Sequence, residues 1–159
     1  MSHEDAAVPW QRVAVAGVSL LVPDDWHDGQ APGLVLVAAG PARGGFAPTI
    51  TVATDDVPPP ATLGEWSNSS VEVLRGLLHS YHLLDVLPDE VAGHEALVRL
   101  GTYGLDDRSL TVAQWAWLTG ATGTTVTATC ATADYAGLVD MFSDIVHSYR
   151  EDDRCSPRP

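Results

Sequence analysis

Lysine is absent from this chain of 159 residues, and cysteine occurs only twice, at Cys130 and Cys155. Two cysteines do not make the multi-bridge framework that staples small secreted scaffolds, so reduced thiols are expected. No apolar run approaches the roughly 18 residues that a membrane-spanning helix needs. The first residues, Met1-Ser2-His3-Glu4-Asp5, lack the basic start and apolar stretch of a secretory leader, which makes the cytoplasm the expected location. Positive charge is scarce altogether: eight basic residues, all arginine, face 21 acidic ones, for a formal net charge of −13. That potential repels phosphate backbones and anionic headgroups, so neither nucleic acid nor membrane insertion is expected. The acidic groups are spread along the chain, as on a solvated surface.

Apolar material, by contrast, is ample. Hydrophobic residues make up 45% of the chain, enough for the core of one domain of ordinary size. Residues 1–10 and 151–159 are polar, charged or proline-rich and read as flexible tails around a single domain over 11–150. Within it, Val13, Val15, Val18, Leu20 and Val22 around Gly17 predict two strands joined by a tight hairpin. Leu34-Val35-Leu36-Val37 and residues 48–53 predict a second pair, with the glycine-rich 40–45 segment as a loop. After Pro58-Pro59-Pro60, the spacing of Leu63, Trp66, Ser70, Val73, Leu74, Leu77 and Leu78 predicts an amphipathic helix, with Thr62 as N-cap and Glu65 three residues on. Residues 81–87, 95–103, 109–119 and 124–132 predict a meander of four strands, broken at Ala92-Gly93, at 104–107 and at 120–123. Leu138, Met141, Phe142, Ile145, Val146 and Tyr149 form the apolar stripe of a last helix, with Asp134 placed to cap it. Short turns pair strands antiparallel and each helix must hide its stripe, so the expected class is α+β. The architecture is an antiparallel sheet flanked by helices, in the order ββββ-α-ββββ-α.

No motif for catalysis stands out. Trp115 and Trp117, two apart on a strand, project to one face with Thr111 and Thr119. Beside the threonine-rich strand carrying Thr125, Thr127 and Thr129 they could form a recognition platform; the alternative is that a helix covers them. Asp24, Asp25, His27 and Asp28 around Trp26 offer oxygens to a hard cation. They lack the EF-hand pattern, and a turn anchored by a buried tryptophan is the better reading. His79 and His82, three apart near the end of the first helix, have no further ligand, and no metal or other cofactor is expected. His94 and His147 have no visible nucleophile partner, and no G-x-S-x-G elbow occurs. Gly40-Pro41-Ala42-Arg43-Gly44-Gly45 precedes a strand and lacks the phosphate-binding Lys-Ser/Thr pair. Asn68-Ser69-Ser70 falls within the predicted helix, Cys130 reads as a small core residue, and Cys155 sits in the tail.

Several of these segments, in order, resemble a known pattern. Val18-Ser19-Leu20-Leu21-Val22-Pro23-Asp24-Asp25-Trp26 resembles the opening strand of the PsbP-like superfamily, in particular its actinobacterial LpqN/LpqT branch. Phe46-Ala47-Pro48-Thr49-Ile50-Thr51-Val52 is similar to that branch's Phe-x-Pro-Asn-Ile-x-Val strand, with Thr49 where asparagine is usual. Leu83-Leu84-Asp85, the turn at 92–96, the strand around Gln114 and the helix ending near Ser148-Tyr149 follow in step over roughly residues 10–150. The resemblance implies an α/β/α sandwich and a role in binding other proteins, with no active site carried by the fold. A non-enzymatic protein-binding accessory, adaptor or chaperone-like module, monomeric or homodimeric, is therefore expected, with Trp115, Trp117, Thr127 and Thr129 or an exposed sheet edge as the contact. The alternative is a carrier holding a small apolar ligand between sheet and helix among Trp66, Phe46, Trp115 and Met141.

Overall fold

The alternating valines of the first segment produce a hairpin of β1 (Trp10–Val15) and β2 (Val18–Pro23), paired Val13↔Leu20. Ala16 and Gly17 join the strands with φ of 51° and 82°, the left-handed pair of a two-residue hairpin turn. The computed structural model describes residues 9–152. Cys155 and most of both expected tails lie outside the described residues.

The larger sheet has seven strands, all antiparallel, in the order β3-β4-β5-β9-β8-β7-β6. Its members are β3 (His27–Gly29), β4 (Leu36–Ala39), β5 (Thr49–Asp56), β6 (His79–Val91), β7 (His94–Leu105), β8 (Arg108–Thr119) and β9 (Thr122–Ala131). The last four form the expected meander. Two short strands were not foreseen. β3 lies in the expected Trp26 turn, and β10 (Arg150–Glu151) pairs with β2 where a tail was expected. Both are too short to leave a periodic signature, and each exists because an unpaired edge lay beside it.

Helix α1 (Leu63–Leu77) starts as expected, with the Thr62 hydroxyl oxygen accepting from the Glu65 amide at 3.2 Å. It carries the chain from β5, inside the sheet, to β6 at the far edge, and so lies across one face. Helix α2 (Tyr135–His147) follows a 3-10 turn over Thr132–Asp134 and packs on the other face. The expected Asp134 cap is absent: Asp134 already has helical φ and ψ, −95° and −12°, so its carboxylate is not placed over the first amides.

The sheet separates two cores of unequal size. On the α2 side Leu138, Phe142, Ile145 and Val146 pack with Ile50, Val52, Val126 and Ala128, and with Leu20 and Val22 of the small sheet. Each large side chain buried here contributes about 1.5–3 kcal/mol relative to exposure. On the α1 side the buried cluster is only Val71, Tyr81 and Val112, with Leu74, Leu78, Leu83 and Tyr103 against it.

Candidate functional site

The pairing register decides which side chains share a face. Trp115 stands opposite Val126 and Trp117 opposite Thr124, whereas Gln114 stands opposite Thr127. The tryptophans and Thr125, Thr127 and Thr129 therefore point to opposite sides of the sheet, because neighbouring residues on a strand alternate. The expected platform of Trp115 and Trp117 beside the threonines is not formed. Both tryptophans are buried beneath α2, Trp117 completely. Trp117 meets Tyr149 edge to face, ring centroids 4.8 Å apart, and its Nε1 is the buried donor without an acceptor among the described residues.

The threonine side is different. Arg99, Gln114, Thr127 and Thr51 are consecutive partners across β7, β8, β9 and β5, making a polar row under α1. Arg99 is 1% exposed. Its Nε and Nη2 donate to Gln114 Oε1 at 3.3 and 3.0 Å, and its Nη1 donates to Ser67 Oγ on α1 at 3.1 Å. Gln114 Nε2 in turn donates to Thr127 Oγ1 at 3.1 Å. No carboxylate among the described residues pairs with Arg99. Burial pulls its guanidinium below the ordinary value, with the nearby Tyr81 phenol offsetting part of the effect. Arginine nonetheless keeps its charge, so neutral acceptors alone hold a buried cation.

Between this row and α1 lies a cleft of about 600 Å³, within the usual size range of small-molecule sites. Trp66, Ser70, Val73, Leu74 and Leu77 of α1 form one wall, with Thr51, Ala53, Thr125, Thr127, Gln114 and Arg99 beneath. The predicted α1 stripe is thus only partly covered: Val73 is 58% and Leu77 76% exposed, while Ser67 and Val71 are the buried positions. Trp66 lies so close over Gly123 that a Cβ there would stand 2.5 Å from its ring. A cleft between sheet and helix exists, but the residues expected to line it separate. Trp66 does so; Trp115 and Met141 belong to the α2 side; Phe46 sits in the 40–48 loop, where its amide and carbonyl pair with those of Arg43.

The histidines also resolve. His79 and His82 lie on β6 and not at a helix end, because α1 stops at Leu77. Among the described residues no group of three or more His, Cys, Asp or Glu side chains is placed to hold a metal ion. Trp26 is buried and anchors its turn, and Gln11 Nε2 donates to its carbonyl at 2.8 Å. Cys130 is buried, and desolvation with help from Asp134 pushes its thiol up to about 11.

One cluster escaped sequence reasoning. His147 Nε2 lies 2.9 Å from Asp89 Oδ2, and its Nδ1 lies 2.7 Å from the Ser143 carbonyl and 3.1 Å from Ser143 Oγ. The same Asp89 oxygen accepts from Trp115 Nε1 at 3.1 Å. Burial acts to raise the Asp89 carboxyl, but the Glu90 amide, His147 and Trp115 together hold it below the ordinary value. Asp89, His147 and Ser143 have the residue types of a hydrolytic triad, but Ser143 lies one turn before His147 on the same helix, and its carbonyl, closer to Nδ1 than its hydroxyl, competes for that nitrogen. The cluster fastens the end of α2 to edge strand β6. A Ser-x-x-x-His spacing on one helix face was visible in the sequence; Asp89, 58 residues away from His147, was not.

No protein-family model matches the sequence, and no curated protein matches it as a relative. Solved structures do resemble the fold. LpqN of Mycobacterium tuberculosis, described as involved in cell envelope biogenesis, aligns with a TM-score of 0.68 at 18% identity over 91% of each chain. Cyanobacterial PsbP (CyanoP) of Synechocystis aligns at 0.65 and 13% identity, over 95% of this chain and 97% of that one. The Saccharomyces cerevisiae Ran-binding protein Mog1p aligns at 0.65 and 12% identity, over 92% and 97%. At these identities the likeness establishes a shared fold, the one the sequence resemblance implied.

Proposed function

We propose that this protein is a non-enzymatic binding module that recruits an extended segment of another protein along the outer edge of β6. One observation carries the reading: β6 is a 13-residue strand at the rim of the large sheet, and Leu84, Val86 and Leu87 on it are exposed. An edge strand's outward carbonyls can accept from an added strand while side-chain pockets set specificity; on β6 the Asp85 and Asp89 carboxylates already accept from the Val86 and Glu90 amides, and Pro88 has none to give. Exposed Asp85 and Glu90 on the same strand, with a chain charge of −13, favour a basic partner segment. The likeness to a protein named for binding Ran, and the sequence resemblance to the LpqN/LpqT branch, support a role in partner binding over one in catalysis.

Lysine-directed cross-linkers would find no side chain to attack, so a photo-crosslinking residue is placed at Leu87, with exposed Leu105 as control. Capture of a basic partner from position 87 and not from 105, abolished by Leu84→Lys in a folded protein, is the expected result. Equal capture from both positions overturns it. A cross-link to a second copy of the same chain reassigns the edge to homodimer formation.

A further inference from the structure

We infer that the cleft beneath α1 binds a single-chain amphiphile with a carboxylate head, held by the Thr127 hydroxyl and the field of Arg99. The inference concerns a different surface from the β6 edge and does not depend on it.

Two observations meet here. The first is a buried guanidinium without a counter-charge among the described residues. Arg99 is 1% exposed, lines the cleft and, among the described residues, donates only to Gln114 and Ser67. A charge so enclosed is costly to bury, and an anion in the adjoining cleft would lower that cost. The second is the direction of the hydrogen bonds. Arg99 donates to Gln114 Oε1, and Gln114 Nε2 donates to Thr127 Oγ1. Every donor in this chain points away from the cation, and each bond polarises the next. The Thr127 hydroxyl has already accepted a bond and has no acceptor for its own proton among the described residues. It therefore presents a strengthened donor to the cleft, and Thr51, its partner on β5, offers a second hydroxyl beside it.

The opposite wall selects the rest of the ligand. Trp66, Val73, Leu74 and Leu77 form an apolar flank, suited to an alkyl chain and not to a sugar or a nucleotide. The other charge in the lining is Asp55. It stands four residues along β5 from Thr51, about 13 Å at the rise of a strand, and is exposed. A carboxylate is thus drawn to the Thr127 end and repelled from the Asp55 end, which orients the chain in the cleft.

The test uses decanoate below its micelle concentration, with 1-decanol as a neutral match, followed by amide shifts in NMR titration. The expected result is saturable decanoate binding, with shifts centred on Thr51, Ala53, Thr127 and Leu77, at least about tenfold tighter than decanol. That ratio is what one charge-assisted hydrogen bond supplies. Thr127→Val keeps side-chain volume and leaves the Arg99 to Gln114 bonds in place; it should erase the preference for decanoate while decanol binding persists. Ala53→Phe, which fills the floor, should weaken both ligands. Equal affinity for the two ligands, a preference that survives Thr127→Val, shifts centred elsewhere, or no binding of decanoate would each overturn the inference.

Discussion

The two faces of the large sheet are built from the same strands and differ by a one-residue step along each. On the α2 face, Leu100, Ala113, Ala128 and Ile50 form one row, and Val98, Trp115, Val126 and Val52 the next, all apolar. On the α1 face, the intervening row is Arg99, Gln114, Thr127 and Thr51. Each face receives one amphipathic helix, yet α2 sinks four large side chains and α1 fully buries only Ser67 and Val71. A face that completes its burial supplies most of the stability and is rigid; a face that does not can keep polar groups and an open cleft, and with them the capacity to bind.

The sharpest way to break this contrast is to empty the α2 face. Trp117→Ala should cost about 3–5 kcal/mol, read by denaturant titration, because the ring is fully buried and its neighbours can collapse only partly. A cost near that of a surface substitution would mean that the α2 face is not the principal core. On the other side, Arg99→Met should cost about 1–2 kcal/mol, since Gln114 Oε1 and Ser67 Oγ lose their donor while the buried charge is removed. A loss as large as that of Trp117→Ala would make the polar row a structural keystone and not a binding floor.

The link between α2 and β6 gives a pH-dependent test. Asp89→Asn should lose about 1 kcal/mol at pH 7, a modest value because the group is partly exposed. The Asp89 carboxyl is held below its ordinary value of 3.8, so its contribution is complete above that pH and is lost as the pH falls through the lowered value. The stability gap between variant and parent should therefore close below about pH 4; a gap that widens there would contradict the assignment. The smallest effect is expected at Leu77→Gln on α1, within about 0.5 kcal/mol by thermal unfolding, because that side chain is 76% exposed. A larger loss would show that the outer part of the α1 stripe is covered in solution.

Much of this contrast was legible beforehand. The α2 stripe, the Thr62 cap, the four-strand meander and its turns all follow from periodicity and turn chemistry, which act over a few residues. Signals for the cleft were also present: Arg99 interrupts the apolar run Ala96-Leu97-Val98 to Leu100, and Gln114 sits between Ala113 and Trp115. Each alone reads as an exposed polar position. Their meaning as one row appears only once β7 and β8 are set in register, which joins hydrogen-bonded partners 15 positions apart in the chain. The tryptophan pair was misplaced for the same reason. Its shared face was readable, but not which helix would cover it, nor that the threonines of β9 would turn the other way.

Local sequence determined the elements of this protein: where strands and helices begin, which positions are apolar, and that the sheet is antiparallel with helices upon it. Tertiary structure alone decided which face each helix took, that β3 and β10 would form against waiting edges, and that Asp89 would meet His147. Periodicity is a property of neighbours along the chain, whereas register and packing depend on partners tens of residues away, chosen by which arrangement buries the most apolar surface without stranding a polar group.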